Sequence, residues 1–273
     1  MNHHRPHATF LAALVGAALC STAVPARADV SLGASPASLE MTLERGKTAA
    51  QTILLFNQGK DPVTVTGYAW DWWHEPGNPR KFAPPGTLPH SAAKWISFVP
   101  EKVTVTPGKG ANVTVVVSTP AAASAGNYAV AWFEAVPDEQ PNAKELRVGA
   151  RLGVLIMTEV RGATKPSISI DELTITPPTA SRPLKAEVKL TNSGDVHLFP
   201  KGTLVLMDRK RKLIGHVGFE KQRLLPGEDR SVALKYGGEL KPGDYDAILT
   251  VDYGEAGATV KTTTFTVEGG TKI

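Results

Sequence analysis

The chain of 273 residues holds one cysteine, Cys20. A disulfide framework needs at least two, and a cysteine-based metal site needs several, so neither is available. Long apolar runs are equally scarce. Only Phe10 to Val24 stands out, and it is shorter than the roughly 20 residues that cross a bilayer. No later run reaches that length, so no stable membrane insertion is expected. Excess charge is missing as well. The formal net charge is +4, and no concentrated basic stripe of the kind nucleic-acid binding needs is present. Amphipathic helical periodicity of useful length is absent throughout.

The chemistry that these absences leave is thin. Gly108-Lys109-Gly110 lacks the spacing of a phosphate loop, and no Gly-x-Ser-x-Gly elbow occurs. After residue 28 the histidines are His74, His90, His197 and His216, none in a short-spaced ligand pair. Asp71, His74, Glu75 and His90 could gather around one loop, but ordinary loop polarity is the simpler account. No enzyme activity, metal or cofactor is expected. His197 is expected to pack or cap locally.

What is present begins with a leader. Arg5, the apolar Phe10–Val24 run and Ala26-Arg27-Ala28 fit a secretory signal peptide over residues 1–28. Without Arg5 and Arg27, 28 basic residues face 26 acidic ones, and Cys20 is gone. Leu19 before Cys20 argues against a lipoprotein. The expected mature protein is soluble, exported and free of cysteine.

The stretch from Leu146 to Met157, LRVGARLGVLIM, organises the rest. With a period of two, Leu146, Val148, Ala150, Leu152, Val154 and Ile156 share a face. Arg147, Gly149, Arg151 and Gly153 share the other, which turns apolar at Leu155 and Met157. The pattern predicts a long strand, the last of a first domain, running into the linker Arg161–Pro166. Placed at a sheet edge, it would be a pairing surface.

Two halves then repeat one frame. Leu55-Phe56-Asn57-Gln58-Gly59, Pro107-Gly108 and Gly126-Asn127-Tyr128 are followed by Leu190-Thr191-Asn192-Ser193-Gly194, Pro226-Gly227 and Gly243-Asp244-Tyr245. Asn and Gly suit a tight exit from a strand, Pro-Gly presets a turn, and a Tyr after a Gly corner resembles the tyrosine corner of immunoglobulin-like sandwiches. Short alternating segments at regular spacing predict at least seven strands in the first half and about seven in the second, among them Leu213–Phe219 and Ala258–Val267. Glu75–Ser91 reads as one long loop, and Lys94–Phe98 as a strand. Arg209–Lys212 reads as a solvated hairpin tip. The fold class is all-β, two immunoglobulin-like β-sandwich domains in tandem, over 29–162 and 163–268, with a tail over 269–273.

Trp70, Trp72, Trp73, Trp95 and Trp132 all lie in the first half. Core or interface packing is the expected use. A stacked sugar is the other, which would make the chain an exported surface or cell-wall binding module with a glycan or protein ligand.

The order of features resembles the periplasmic chaperones of the chaperone–usher pilus pathway. The residues that carry the likeness are Ser35-Pro36, Leu55-Phe56-Asn57, Trp95-Ile96, Val103 to Pro107-Gly108, Gly126-Asn127-Tyr128 and Leu146-x-Val148-x-Ala150. The resemblance implies a periplasmic location and a partner that is a protein subunit of a pilus or surface structure. It also implies β-strand addition to that subunit, with Leu146, Val148, Ala150 and Leu152 as donor side chains. The family anchors its subunit's C-terminal carboxylate with an Arg on the first strand and a Lys on the donor strand. The matching positions here, near Ala37–Ser38 and Gly153–Leu155, are not basic. Arg147 and Arg151, on the opposite parity, are the candidates to replace that anchor.

Overall fold

The computed structural model describes residues 30–74, 80–123, 125–137, 149–179 and 181–268. The expected leader and tail, Glu75, Leu146, Arg147 and Val148 lie outside the described residues.

Period-two alternation sets the architecture, because each strand must bury one row of side chains. In the first half, β1 (Leu32–Ser35), β3 (Thr48–Asn57), β8 (Gly110–Ser118) and β6 (Ile96–Val99) form one sheet in the order β1-β3-β8-β6. The facing sheet runs β2 (Ser38–Leu43), β10 (Ala150–Val160), β9 (Gly126–Pro137), β4 (Val63–His74), β5 (Arg80–Ala83). A short β7 (Lys102–Val105) pairs with the other half of β4's outer side. Between the sheets lies a core that includes Leu39, Leu43, Ile53, Leu55, Val115, Phe133 and Ile156, all buried.

The second half is a simpler sandwich. Its sheets are β11 (Ile168–Thr176), β12 (Leu184–Asn192), β15 (Asp229–Tyr236) and, facing them, β14 (Leu213–Phe219), β13 (Lys201–Asp208), β16 (Gly243–Asp252), β17 (Ala258–Val267). Leu184, Leu190, Leu204, Leu206, Leu224 and Leu249 fill its core. The fold is therefore all-β, two immunoglobulin-like sandwiches in tandem.

Two expectations need correction. Within Glu75–Ser91, Arg80–Ala83 is a strand, pairing with Asp71–His74; its Arg-Lys-Phe-Ala sequence carries no alternation to announce it. At Lys94 the chain is a 3₁₀ turn, and the strand begins at Ile96.

The repeated frame holds down to single hydrogen bonds. Asn57 Nδ2 donates to the carbonyls of Asp61 and Val105, and its Oδ1 accepts from Gly59 N–H. Asn192 Nδ2 donates to Val196 and Leu224, and its Oδ1 accepts from Gly194 N–H. The Pro-Gly turns return the next bond, Gly108 N–H to Asn57 O and Gly227 N–H to Asn192 O. Both turn glycines sit at positive φ, 68° and 76°, where a Cβ is disfavoured.

Candidate functional site: an open strand margin and the joint beside it

β10 has three surfaces. Its even side chains face the first core: Leu152, Val154 and Ile156 lie opposite Phe133, Ala131 and Ala129 of β9. Its odd side chains Leu155 and Met157 face the other way, with Trp72, Tyr128, Val130 and Trp132, toward Leu225 of the second half. This explains why the odd face turns apolar after Gly153. It is not a surface but one wall of the joint between the sandwiches.

The third surface is the backbone edge. An edge position, which the sequence left open, holds for only part of the strand. From Leu155 to Val160, β10 pairs with β9 on one side and runs parallel to β2 on the other. From Ala150 to Val154 it pairs with β9, and among the described residues no strand flanks its other side. The reason lies in the first strand. Ser35 pairs in the opposite sheet, with Leu54 of β3, whereas Ser38 pairs with Leu155. The chain crosses between the sheets at Pro36, which lacks the N–H a ladder needs. The ladder on this side of β10 is therefore interrupted in line with β2, and β1, which belongs to the facing sheet, passes near the gap.

Parity tells which groups face that gap. Leu155 N–H donates to Ala37 O on the β2 side. Backbone groups alternate along a strand, so the N–H and C=O of Gly153 and Arg151 point the same way. The even side chains lose cover in the same direction. Ile156 and Val154 are fully buried, while Leu152 and Ala150 are only half-buried.

Arg151, one of the two anchor candidates, is exposed at this margin. Its guanidinium lies 4.6 Å from the centroid of the Trp132 ring, and Nη1 is 3.4 Å from the Tyr68 hydroxyl. The bond it donates to the Tyr68 hydroxyl raises its already high pKa. Gly153 has to be small, since a Cβ there would come within 2.8 Å of the Trp132 ring. The indole leans over the glycine toward the margin, and Phe82 packs on it at 4.7 Å.

Trp70, Trp72 and Trp132 belong to the cluster at the joint, whereas Trp95 packs against the first core. Trp72 is 1 % exposed and Trp132 8 %, so neither offers a free face for a sugar. Arg80 and Arg223 stand 5.6 and 5.1 Å from the Trp72 ring centroid. Adjacent Trp73 is half-buried. His74, expected in a loop, ends β4, and its Nδ1–H donates to Glu228 Oε1 of the second sandwich at 2.9 Å. Glu228 Oε2 accepts from Leu225 N–H, which holds the tip that enters the joint. His197 packs, as expected, but across the joint: its ring lies 5.7 Å from Tyr128 and 5.8 Å from Phe199. Gly126 N–H donates to Asp195 O at 2.8 Å, and a Cβ on Gly126 would strike the Tyr128 hydroxyl. Glu228, Leu225 and Arg223 went unnoticed in the sequence; only the shared Pro226-Gly227 turn pointed near them.

Asp71 has a local use. Fully buried, its carboxylate accepts from the N–H groups of Gly86 and Leu88 and from the Ser91 hydroxyl, fixing the loop that follows β5. Among the described residues no group of three His, Asp or Glu could hold a metal ion. No described helix is long and apolar enough to cross a membrane.

No protein-family model matches this chain, and no curated protein sequence matches it. Solved structures do. It is similar to the class 5 fimbriae chaperone CfaA, with a TM-score of 0.49 and 13 % identity over 85 % of this chain and 98 % of that one. It is similar to a chain of a chaperone–tip adhesin complex of CFA/I fimbriae biogenesis, at 0.49 and 11 % over 85 % and 98 %. It is also similar to a chain of the Salmonella enterica SafA pilin–SafB chaperone complex, at 0.39 and 13 % over 87 % and 96 %. Along more than four fifths of its length, then, the chain is similar to solved structures of fimbrial and pilus chaperones.

Proposed function

We propose that this chain is a non-enzymatic periplasmic chaperone that holds a strand-deficient subunit of a pilus or other surface structure by β-strand donation. The reading is supported above all by β10, which is paired on both flanks from Leu155 onward and on one flank from Ala150 to Val154. A guest strand fits in the gap in line with β2, bonded to the backbone of Arg151 and Gly153. Leu146, Val148, Ala150 and Leu152 are the donor side chains, and of these Ala150 and Leu152 are half-buried. Arg151, with Arg147, is the cation that replaces the family's basic anchor. Residues 1–28 act as the export signal, and the working protein is two domains over 29–162 and 163–268.

The last strand of the second sandwich supplies the contrast. β17 pairs with β16, and its sequence, Ala-Thr-Val-Lys-Thr-Thr-Thr-Phe-Thr-Val, is threonine-rich. Lys261 ties it to the β11 carbonyls of Ile170 and Asp171 at 2.9 and 2.7 Å. Such a strand is protected against pairing. Among the described residues, no side chain ties the start of β10 down in this way.

The test is co-expression with candidate subunits, followed by co-purification. Wild-type chain carries the subunit, and amide exchange at Arg151 and Gly153 slows in the complex. Val148→Glu and Leu152→Glu place a charge where the guest needs apolar contact, and each lowers capture at least about tenfold, or about 1.4 kcal/mol. Undiminished capture by both variants, with no protection at Arg151 and Gly153, sinks the reading.

A further inference from the structure

Of the four histidines beyond residue 28, three sit at the joint: His74, His90 and His197. His74 lies edge-on to Trp72 at 5.6 Å and bonds Glu228. Facing it are Arg223, from the segment before β15, and Arg80 of β5, both cationic. His90 lines the same cleft of about 230 Å³, with Leu88, Tyr128, Leu225 and Glu228. His197 is held between the Tyr128 and Phe199 rings, and its Nδ1 is buried without a hydrogen-bond partner. Glu40 of β2, Glu159 of β10 and Arg223 are the charges around it. Lys201, Lys221 and Asp252 line the cleft it borders.

We propose that this joint is a proton-sensitive clamp, which fixes the angle between the sandwiches while His74 and His197 are neutral and loosens when they take up protons. The clamp belongs to the chain itself and does not depend on what pairs with β10. An imidazolium at His197 would be enclosed by two aromatic rings, with no acceptor at Nδ1. One at His74 would gain from Glu228 but stand against two guanidinium groups in an apolar joint. Burial is the largest influence on both, and it pulls each below the ordinary 6.5. A group whose docked pKa is depressed stabilises docking fully above its undocked value and loses that contribution as pH falls through the docked one. The joint is therefore tight above about pH 6.5 and opens on acidification.

The opening is measurable on the full chain between pH 7.5 and 4.5. Small-angle scattering reads the angle between the sandwiches, tryptophan emission reads the uncovering of Trp72 and Trp132, and far-UV circular dichroism reports whether the sheets survive. The expected result is an increase in radius of gyration and a red shift that coincide, with the sheets intact. The double variant His74→Gln, His197→Phe keeps a donor for Glu228 and a ring for Tyr128, and moves the opening at least tenfold in proton concentration toward acid. A joint that stays closed until the sheets melt, or opens at the same pH in the double variant, overturns the clamp. Should that variant not fold, imidazole titration by NMR in the unaltered chain decides. Values for His74 and His197 below 6.5 that track the opening support it, and values at or above 6.5 overturn it.

Discussion

The two sandwiches share a frame and part company at one tyrosine. In the second, Tyr245 closes its corner within the sandwich: the hydroxyl donates to Lys241 O at 2.7 Å, and the ring stacks on Phe265. In the first, Tyr128 occupies the same place in the repeat, but its hydroxyl has no hydrogen-bond partner and its ring faces Trp72 and His197. One copy uses the residue to finish itself. The other uses it to hold its neighbour, at the expense of a buried unpaired group. The last strands differ in the same sense, β17 tied down by Lys261 and β10 left half open.

The strongest challenge to this comparison is Trp72→Ala. Emptying a buried indole costs about 3–5 kcal/mol, and because this one lies at the joint it should split calorimetric unfolding into two transitions. A single transition at an unchanged temperature would show that the joint carries no stability. Next come Asn57→Ala and Asn192→Ala. Each removes a buried amide with three hydrogen bonds, at a cost of about 2–3 kcal/mol in urea denaturation, and the two values should be alike because the bonds are. A wide difference would mean that the repeat is one of shape only. The smallest effect separates the tyrosines. Tyr245→Phe loses about 1 kcal/mol, whereas Tyr128→Phe loses nothing or gains slightly, since its hydroxyl is desolvated and unpaired.

The parts of this design that were legible in the sequence are those governed by local rules. Strand limits such as Leu213–Phe219 and Ala258–Val267 follow from alternation bounded by turns. The Asn-x-Gly and Pro-Gly frame follows from backbone conformations few other residues take. The row Leu152, Val154, Ile156 does face the core. What was not legible depends on distant segments. That Ser38–Leu43 lies parallel to Leu155–Val160 is decided by where the chain crosses at Pro36, not by either strand's pattern. The tryptophans announced a large apolar area but not what covers it, because Leu225 and Arg223 come from the second half. His74 and Glu228 are 154 positions apart, and nothing near either one names the other.

Residues 150–160 serve the interior of one sandwich, the contact with the other and a free rim of backbone at once. Anyone wishing to retarget that rim has few letters to change. Val154 and Leu155 are spoken for on either side, and Gly153 is shadowed by an indole. Arg151 is exposed and touches the layer beneath only through Trp132 and Tyr68, which makes it the first position to randomise when a different guest is wanted.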